Sequence, residues 1–293
     1  LMQLLTPRDL RGMLPGQCYY MPMVDETGGM LNDPVAVKLS EDRYWISIAD
    51  SDLLLWVKGI AYGYRLEVLV DEPDVSPLAV QGPKAEDLVA RVFGEFIRDV
   101  RFFRFGWFDF DGHSFVVARS GYSKQGGFEI YDEGAENAMP LWNAHFEAGA
   151  DLNVRAGCPN LIERVESGLL SYGNDMTRDN TPHEAGLGRF CSTQTAIGCV
   201  GRDAVLRVAK EGPIKQIRPI AIQGEIPPCD RVWPLFANGK PAGQITSAAF
   251  SPDFGTGVAI GMVRMPYWDP GQRREVETFQ GMRQAVVQEK FWN

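Results

Sequence analysis

Apolar and polar residues alternate with a period of two through much of the first fifty positions, the signature of strands. "CYYMPMV" (18–24) reads as one arm of a hairpin, "DETGG" as its turn and "PVAVKL" (34–39) as the return arm. Residues 1–9 read as the end of a helix, stopped by a turn around Pro15-Gly16, and "RYWISIA" (43–49) as a further strand. The period then lengthens: "DSDLLLWVKGIAYGY" (50–64) predicts an amphipathic helix with Asp50 or Ser51 as its N-cap. "RLEVLVDEP" (65–73) returns to a strand pattern. "SPLAVQGPKAEDLVARVFG" (76–94) predicts a strand, a Gly-Pro turn and a helix closed by Gly94, whose acidic first turn suits the helix dipole.

Residues 103–134 form a strand-rich block with turns at Asp111-Gly112 and Gly126-Gly127, followed by a helix over 138–150. In "CPNLIERVESGLLSYGND" (158–175), Ile162, Val165 and Leu169 fall at helical spacing before the chain breaks at Gly173. Strands and helices mix without strict alternation, which predicts an α+β fold and not a doubly wound sheet. From about residue 208 the character changes. "KQIRPIAIQG", "AGQITSAAFSP", "VAIGMVRM" and "REVETF" are short strands punctuated by Gly and Pro, the pattern of a small β-barrel or sandwich. A boundary near 200–212 divides the chain into 1–207 and 208–293.

The 293 residues suffice for two or three packed modules, and 45% hydrophobic with 23% charged residues is ordinary for a soluble globular chain. A formal charge of −9 argues against a nucleic-acid partner, which needs a basic surface. Cys18, Cys158, Cys191, Cys199 and Cys229 are scattered with no CxxC pair, and the three histidines lie at no metal-ligand spacing. Reduced thiols in a cytoplasmic protein without a metal are the expectation. No apolar run approaches the roughly 20 residues that span a bilayer, so no membrane partner is expected. The chain opens with Leu inside what reads as a helix, so a natural N-terminus upstream is expected.

Phosphate-wrapping GxxxxGK[ST] and GxGxxG loops are missing, as is a GxSxG elbow. Two carboxylates draw attention: Asp33 at a strand mouth, preceded by Asn32, and Glu166 on the helix face shared with Ile162 and Leu169. A carboxylate among apolar neighbours must be paired or bind something polar. On pattern alone each has an ordinary explanation, a capped turn for Asp33 and a helix ion pair for Glu166.

"GGMLNDPVAVKL", "LAVQGPKA", "ARSGYSKQGGFEIY", "RVESGLLS" before "YGND", and "GQITSAAFSP" occur in the order of one family. The chain resembles the tetrahydrofolate-dependent aminomethyltransferases, the T-proteins of glycine cleavage. "TPRDL", "CYYMP", "YWISIADSD" and "GCPNLIERVESGLLSYGNDMT" are most similar to its branch of dimethylsulfoniopropionate demethylases. The resemblance runs nearly end to end and implies that an N-terminal segment is missing. It also implies a multi-module cloverleaf around a folate channel, ending in a small β-barrel.

By the same resemblance the partners are a small-molecule methyl donor and tetrahydrofolate; a homodimer is one assembly open to the chain, and the sequence does not fix its oligomeric state. Glu166 would hold the pterin edge through paired hydrogen bonds, Tyr172 would follow beside it, and Arg189 would replace the family's folate-tail arginine. Asn32 and Asp33 stand where T-proteins carry two aspartates. Aminomethyl transfer needs proton transfers. A sulfonium instead releases a neutral thioether, so a non-titrating Asn32 accords better with demethylation; the plain alternative is an Asx turn after Gly28-Gly29. Tyr122, Phe128, Tyr19 and Tyr20 are the aromatic candidates for a sulfonium, with Lys124 or Arg119 for its carboxylate. Two other readings remain: aminomethyl transfer in glycine cleavage, and a non-enzymatic folate-binding accessory of iron–sulfur cluster maintenance. The latter uses a reactive cysteine in a "KGCYxGQE"-like motif, and Cys18 in "GQCYYMP" lacks that context.

Overall fold

The computed structural model describes residues 1–48, 52–134 and 136–293. The first region holds five short strands: β1 (Cys18–Tyr20), β2 (Met23–Val24), β3 (Met30–Asn32), β4 (Val35–Lys38) and β5 (Tyr44–Ser47). The expected single arm over 18–24 is two strands with different partners: β1 joins a sheet in the order β1-β4-β5, whereas β2 pairs with β3. Pro22 explains the break, because it has no N–H to give a ladder. The expected helix end over 1–9 is a single 3₁₀ turn, Met2–Leu5.

Helix α1 (Leu54–Gly63) follows, burying Val57 and Ala61. Asp50 and Ser51, the expected caps, lie outside the described residues, as does Ala49; the Asp52 carboxylate accepts the Leu54 N–H at 2.8 Å. The strand expected over 65–73 does not form, and Leu69 there is 88% exposed. Alternation supplies a face for a strand but not the neighbour that a ladder requires.

The second region is a sheet covered by helices: β6 (Val75–Gln81), α2 (Ala85–Phe93), β7 (Phe105–Phe110), β8 (His113–Ala118), β9 (Gly127–Glu133) and α3 (Ala138–Ala148), with strand order β6-β9-β8-β7. Acidic Glu86 and Asp87 open α2 and Gly94 closes it, as the sequence predicts. Val89, Ala90 and Leu141 from the helices pack on Phe115, Val117, Phe128 and Ile130 from the sheet.

Helix α4 (Leu161–Glu166) is shorter than its apolar spacing predicts. Asn160 starts it by accepting the Ile162 N–H at 2.9 Å, and Gly168, at φ 65°, turns the chain away. A Cβ at Gly168 would stand 2.4 Å from the Phe291 ring, so nothing larger fits there. Leu169 therefore leaves the helical face and offers its backbone to the surroundings.

Helix α5 (Arg202–Glu211) leads into β10 (Lys215–Ile222), β11 (Trp233–Ala237), β12 (Lys240–Ser251), β13 (Thr256–Arg264), β14 (Arg273–Thr278) and β15 (Gly281–Val287). These close into a barrel in the order β10-β13-β12-β11-β14-β15, filled by Ile220, Ile222, Trp233, Leu235, Ile245, Val263, Val276 and Val287. Four of its strands are those expected; β11 and β15, which begin Trp-Pro and Gly-Met-Arg, carry weaker patterns. Helix α4 lies on the barrel wall, its Val165 packed with Ile217, Val258, Ile260 and Met262. The fold is thus α+β with a C-terminal barrel.

Candidate active site

The turn between β2 and β3 is built on Asp25. Its Oδ1 accepts the N–H groups of Thr27 and Gly29 and the Thr27 hydroxyl, at 2.7–3.0 Å. A Cβ at Gly29 would lie 2.3 Å from the Arg178 carbonyl oxygen, so the turn docks on the 178 loop only with glycine there. This anchors the next two candidates. Asn32 is 4% exposed, and its Oδ1 accepts the Asp33 N–H at 2.7 Å. The amide thus braces the Asp33 backbone, while the Asp33 carboxylate accepts a short hydrogen bond from the Tyr20 hydroxyl. Burial pushes the Asp33 carboxyl up to about 6, and the Tyr20 bond only partly offsets it.

Tyrosines gather around this acid. The phenols of Tyr20, Tyr122 and Tyr172 are all raised, first by burial and then by negative charge that includes Asp33; Tyr122 reaches about 12. Tyr20 also packs at a tilt against Phe190, ring centres 4.9 Å apart, and Arg189 lies 4.7 Å from the centre of the Phe190 ring. Tyr172 donates its hydroxyl to the Met30 carbonyl at 2.8 Å, tying the "SYGND" segment to β3. Tyr122 is 37% exposed and donates to the carbonyls of Leu170 (2.7 Å) and Leu169 (3.1 Å). Tyr19 carries the Arg8 guanidinium 4.3 Å over its ring.

Phe128 requires correction: it is fully buried between the sheet and helices of the second region, so its ring offers no face to a substrate. Phe128 and Ile130 share one face of β9 by strand parity, a signal already present in the sequence. Arg119 is likewise engaged, ion-paired with Glu86 and placed 5.4 Å over Phe128. Lys124 is exposed on a left-handed turn.

Glu166 is buried where α4 meets the barrel. Its Oε1 accepts the Ser251 hydroxyl at 2.6 Å, and its Oε2 accepts the Asn293 amide N–H at 3.1 Å. An amide NH₂ is the same kind of donor as a pterin amino group, so this carboxylate is chemically suited to a pterin edge. Residues overlooked in the sequence lie beside it. Arg164 and Asp175 form a buried ion pair at 2.6 Å, completed by Thr246 and Ser247 of β12. Adjacent hydroxyls in a buried strand were the one local signal. Cys18 is buried, and burial pushes its thiol up to about 12, which removes it as a nucleophile at neutral pH. Among the described residues no helix is long and apolar enough to cross a membrane, and no group of three or more His, Cys, Asp or Glu is placed to hold a metal.

Comparison with known proteins agrees with this architecture. Residues 1–195 match the GCVT N-terminal domain, and residues 215–292 the glycine cleavage T-protein C-terminal barrel domain. The dimethylsulfoniopropionate demethylase DmdA of Ruegeria pomeroyi is 62% identical over 292 residues, covering 100% of this chain and 80% of the relative. An aminomethyltransferase of Bacillus cereus is 30% identical over 295 residues, covering 98% and 79%. The crystal structure of glycine cleavage system aminomethyltransferase T from Bartonella henselae superposes with a TM-score of 0.85 at 25% identity, covering 100% of this chain and 80% of that one. With residues 1–195 and 215–292 both matched and a relative 62% identical over the whole chain, the chain belongs to the glycine cleavage T-protein family.

Proposed function

We infer that the chain is a tetrahydrofolate-dependent demethylase: it transfers a methyl group from the sulfonium of dimethylsulfoniopropionate to N5 of tetrahydrofolate, giving methylmercaptopropionate and 5-methyltetrahydrofolate. The observation that carries this is the 62% identity to a dimethylsulfoniopropionate demethylase across the whole chain. It stands far above the 30% shared with an aminomethyltransferase. In this reading residues 1–207 form the folate-binding portion and 208–293 the barrel. All five cysteines are free thiols, in accord with a cytoplasmic setting.

Tetrahydrofolate is the second substrate and supplies the accepting nitrogen. The N5 lone pair forms the new C–N bond, the C–S pair stays on sulfur as a neutral thioether, and the N5 proton departs. The chain's part is placement and proton handling. Tyr20 and Tyr122 offer aromatic surface to the cation, whereas the Tyr19 ring already carries the Arg8 guanidinium. Glu166, Tyr172 and Arg189 hold the folate. Asn32 braces Asp33, and the Asp33 carboxylate accepts the released proton, which its elevated affinity suits. Most of the rate comes from aligning nitrogen, methyl and sulfur.

The test supplies tetrahydrofolate and dimethylsulfoniopropionate to the full chain without a lipoylated carrier, and follows both products. Equal appearance of the two is expected. No methyl transfer by folded, folate-binding protein, with activity restored only by a lipoylated carrier, would move the assignment to aminomethyl transfer.

A further inference from the structure

Resting on the reading of Tyr122 as a sulfonium contact, we propose that Arg164, Asp175 and the bulge of β12 at Thr246–Ser247 are positioning elements for Tyr122. Through them the barrel sets the geometry of the methyl-donor side of the site. Ile245 pairs with Gly261 and Ser247 with Ile260, which leaves Thr246 as an extra residue in β12. A regular strand sends successive side chains to opposite faces, whereas a bulge re-aims one of them. Here both hydroxyls reach a single atom: Thr246 and Ser247 donate to Asp175 Oδ1 at 2.7 and 2.6 Å.

The other oxygen of Asp175 has different partners. Its Oδ2 accepts Arg164 Nη1 at 2.6 Å and the Ser171 N–H at 2.9 Å. Arg164 in turn donates to Ser247 Oγ at 2.6 Å and to the Leu169 carbonyl at 3.0 Å. Residues 169–171 are thus held from two sides, the Leu169 carbonyl by arginine and the Ser171 amide by aspartate. The carbonyls of Leu169 and Leu170 are the two acceptors of the Tyr122 hydroxyl. The sequence of contacts runs from bulge to ion pair to turn to phenol.

Stability alone is a weak reason for such an arrangement. A buried ion pair often gains nothing over apolar residues of similar volume, and its best-attested use is to fix geometry. Arg164 is 8% and Asp175 2% exposed, with every oxygen of the carboxylate engaged. What they fix is a partly exposed tyrosine on a loop, whose ring would otherwise lack a hydroxyl anchor.

The test compares KM for the sulfonium, KM for tetrahydrofolate, kcat and Tm in Tyr122→Leu, Tyr122→Phe, Ser247→Ala and the Tyr122→Phe/Ser247→Ala double variant of the full chain. Ser247→Ala keeps the ion pair, whereas Asp175→Asn breaks it. The expected result is a rise in KM for the sulfonium of about fivefold in both Tyr122→Phe and Ser247→Ala, the effect of one hydrogen bond. KM for tetrahydrofolate stays unchanged, and the double variant is no worse than Tyr122→Phe alone. A lowered Tm with unchanged KM in Ser247→Ala, or fully additive effects, would overturn the positioning role. Unchanged KM in Tyr122→Leu would instead overturn the reading of Tyr122 itself, and the positioning role with it.

Discussion

Two carboxylates in this molecule, one fully and one partly buried, have opposite fates. Asp175, at the junction of α4 and the barrel, receives donors from Arg164, Ser171, Thr246 and Ser247. Asp33, at the mouth of β3, receives the Tyr20 hydroxyl on its side chain, and burial lifts its carboxyl to about 6. Saturating an acid with donors makes it a fixed joint. Leaving one under-supplied among phenols makes it ready to take up a proton near neutral pH. The same side chain serves as scaffold in one place and as reactive group in the other, and the number of donors decides which.

The largest effect should come from breaking the joint. Arg164→Ala leaves the Asp175 charge buried without its cation, and a loss of about 3–5 kcal/mol in chemical denaturation is expected. A loss below about 1 kcal/mol would mean that the saturated acid does not need its partner.

Next comes Asp33→Asn. The folded-state carboxyl lies above its ordinary value of 3.8, so the folded chain binds the extra proton and ionisation costs stability as pH rises. That cost is absent below about pH 4, grows between about 4 and 6 and is complete above. The variant should therefore be more stable than the parent at pH 8, by up to about 3 kcal/mol, with the gap closing below pH 4. Its methyl transfer should fall, because the amide accepts no proton. A stability gain that persisted at pH 3.5 would locate the strain elsewhere.

The smallest effect sharpens the comparison. Tyr20→Phe removes a side-chain donor that favours the ionised Asp33, so its carboxyl rises further and the acid limb of kcat/KM moves to higher pH. A limb that stayed in place would assign it to another group.

Much of this architecture was legible because strand alternation, helix spacing and Gly/Pro turns are local signals. The barrel announced itself through "KQIRPIAIQG" and "VAIGMVRM", and α2 through its acidic start and glycine stop. Residues 65–73 misled because a strand also needs a neighbour. Asn32 and Asp33 stood out as an oddity in a hairpin, and the tyrosines stood out through family resemblance. Asp175 did not, since its meaning depends on Arg164, 11 positions back, and on hydroxyls 71 and 72 positions ahead that a bulge brings together. Such long-range pairings leave no periodic trace.

The strand orders also bear on how the chain behaves when crowded with copies of itself. Six strands closed into a barrel leave no free edge to offer. The β6-β9-β8-β7 sheet ends at β7, "FGWFDF", whose outer side has no ladder partner among the described residues beyond the single bridge from Gln17 to Arg104. Three phenylalanines and a half-exposed Trp107 make that edge a template for pairing with another chain, and Asp109 is the one charge set within it. Removing the Asp109 charge would therefore leave this edge more prone to pair with another copy, an effect separate from the chemistry of the site.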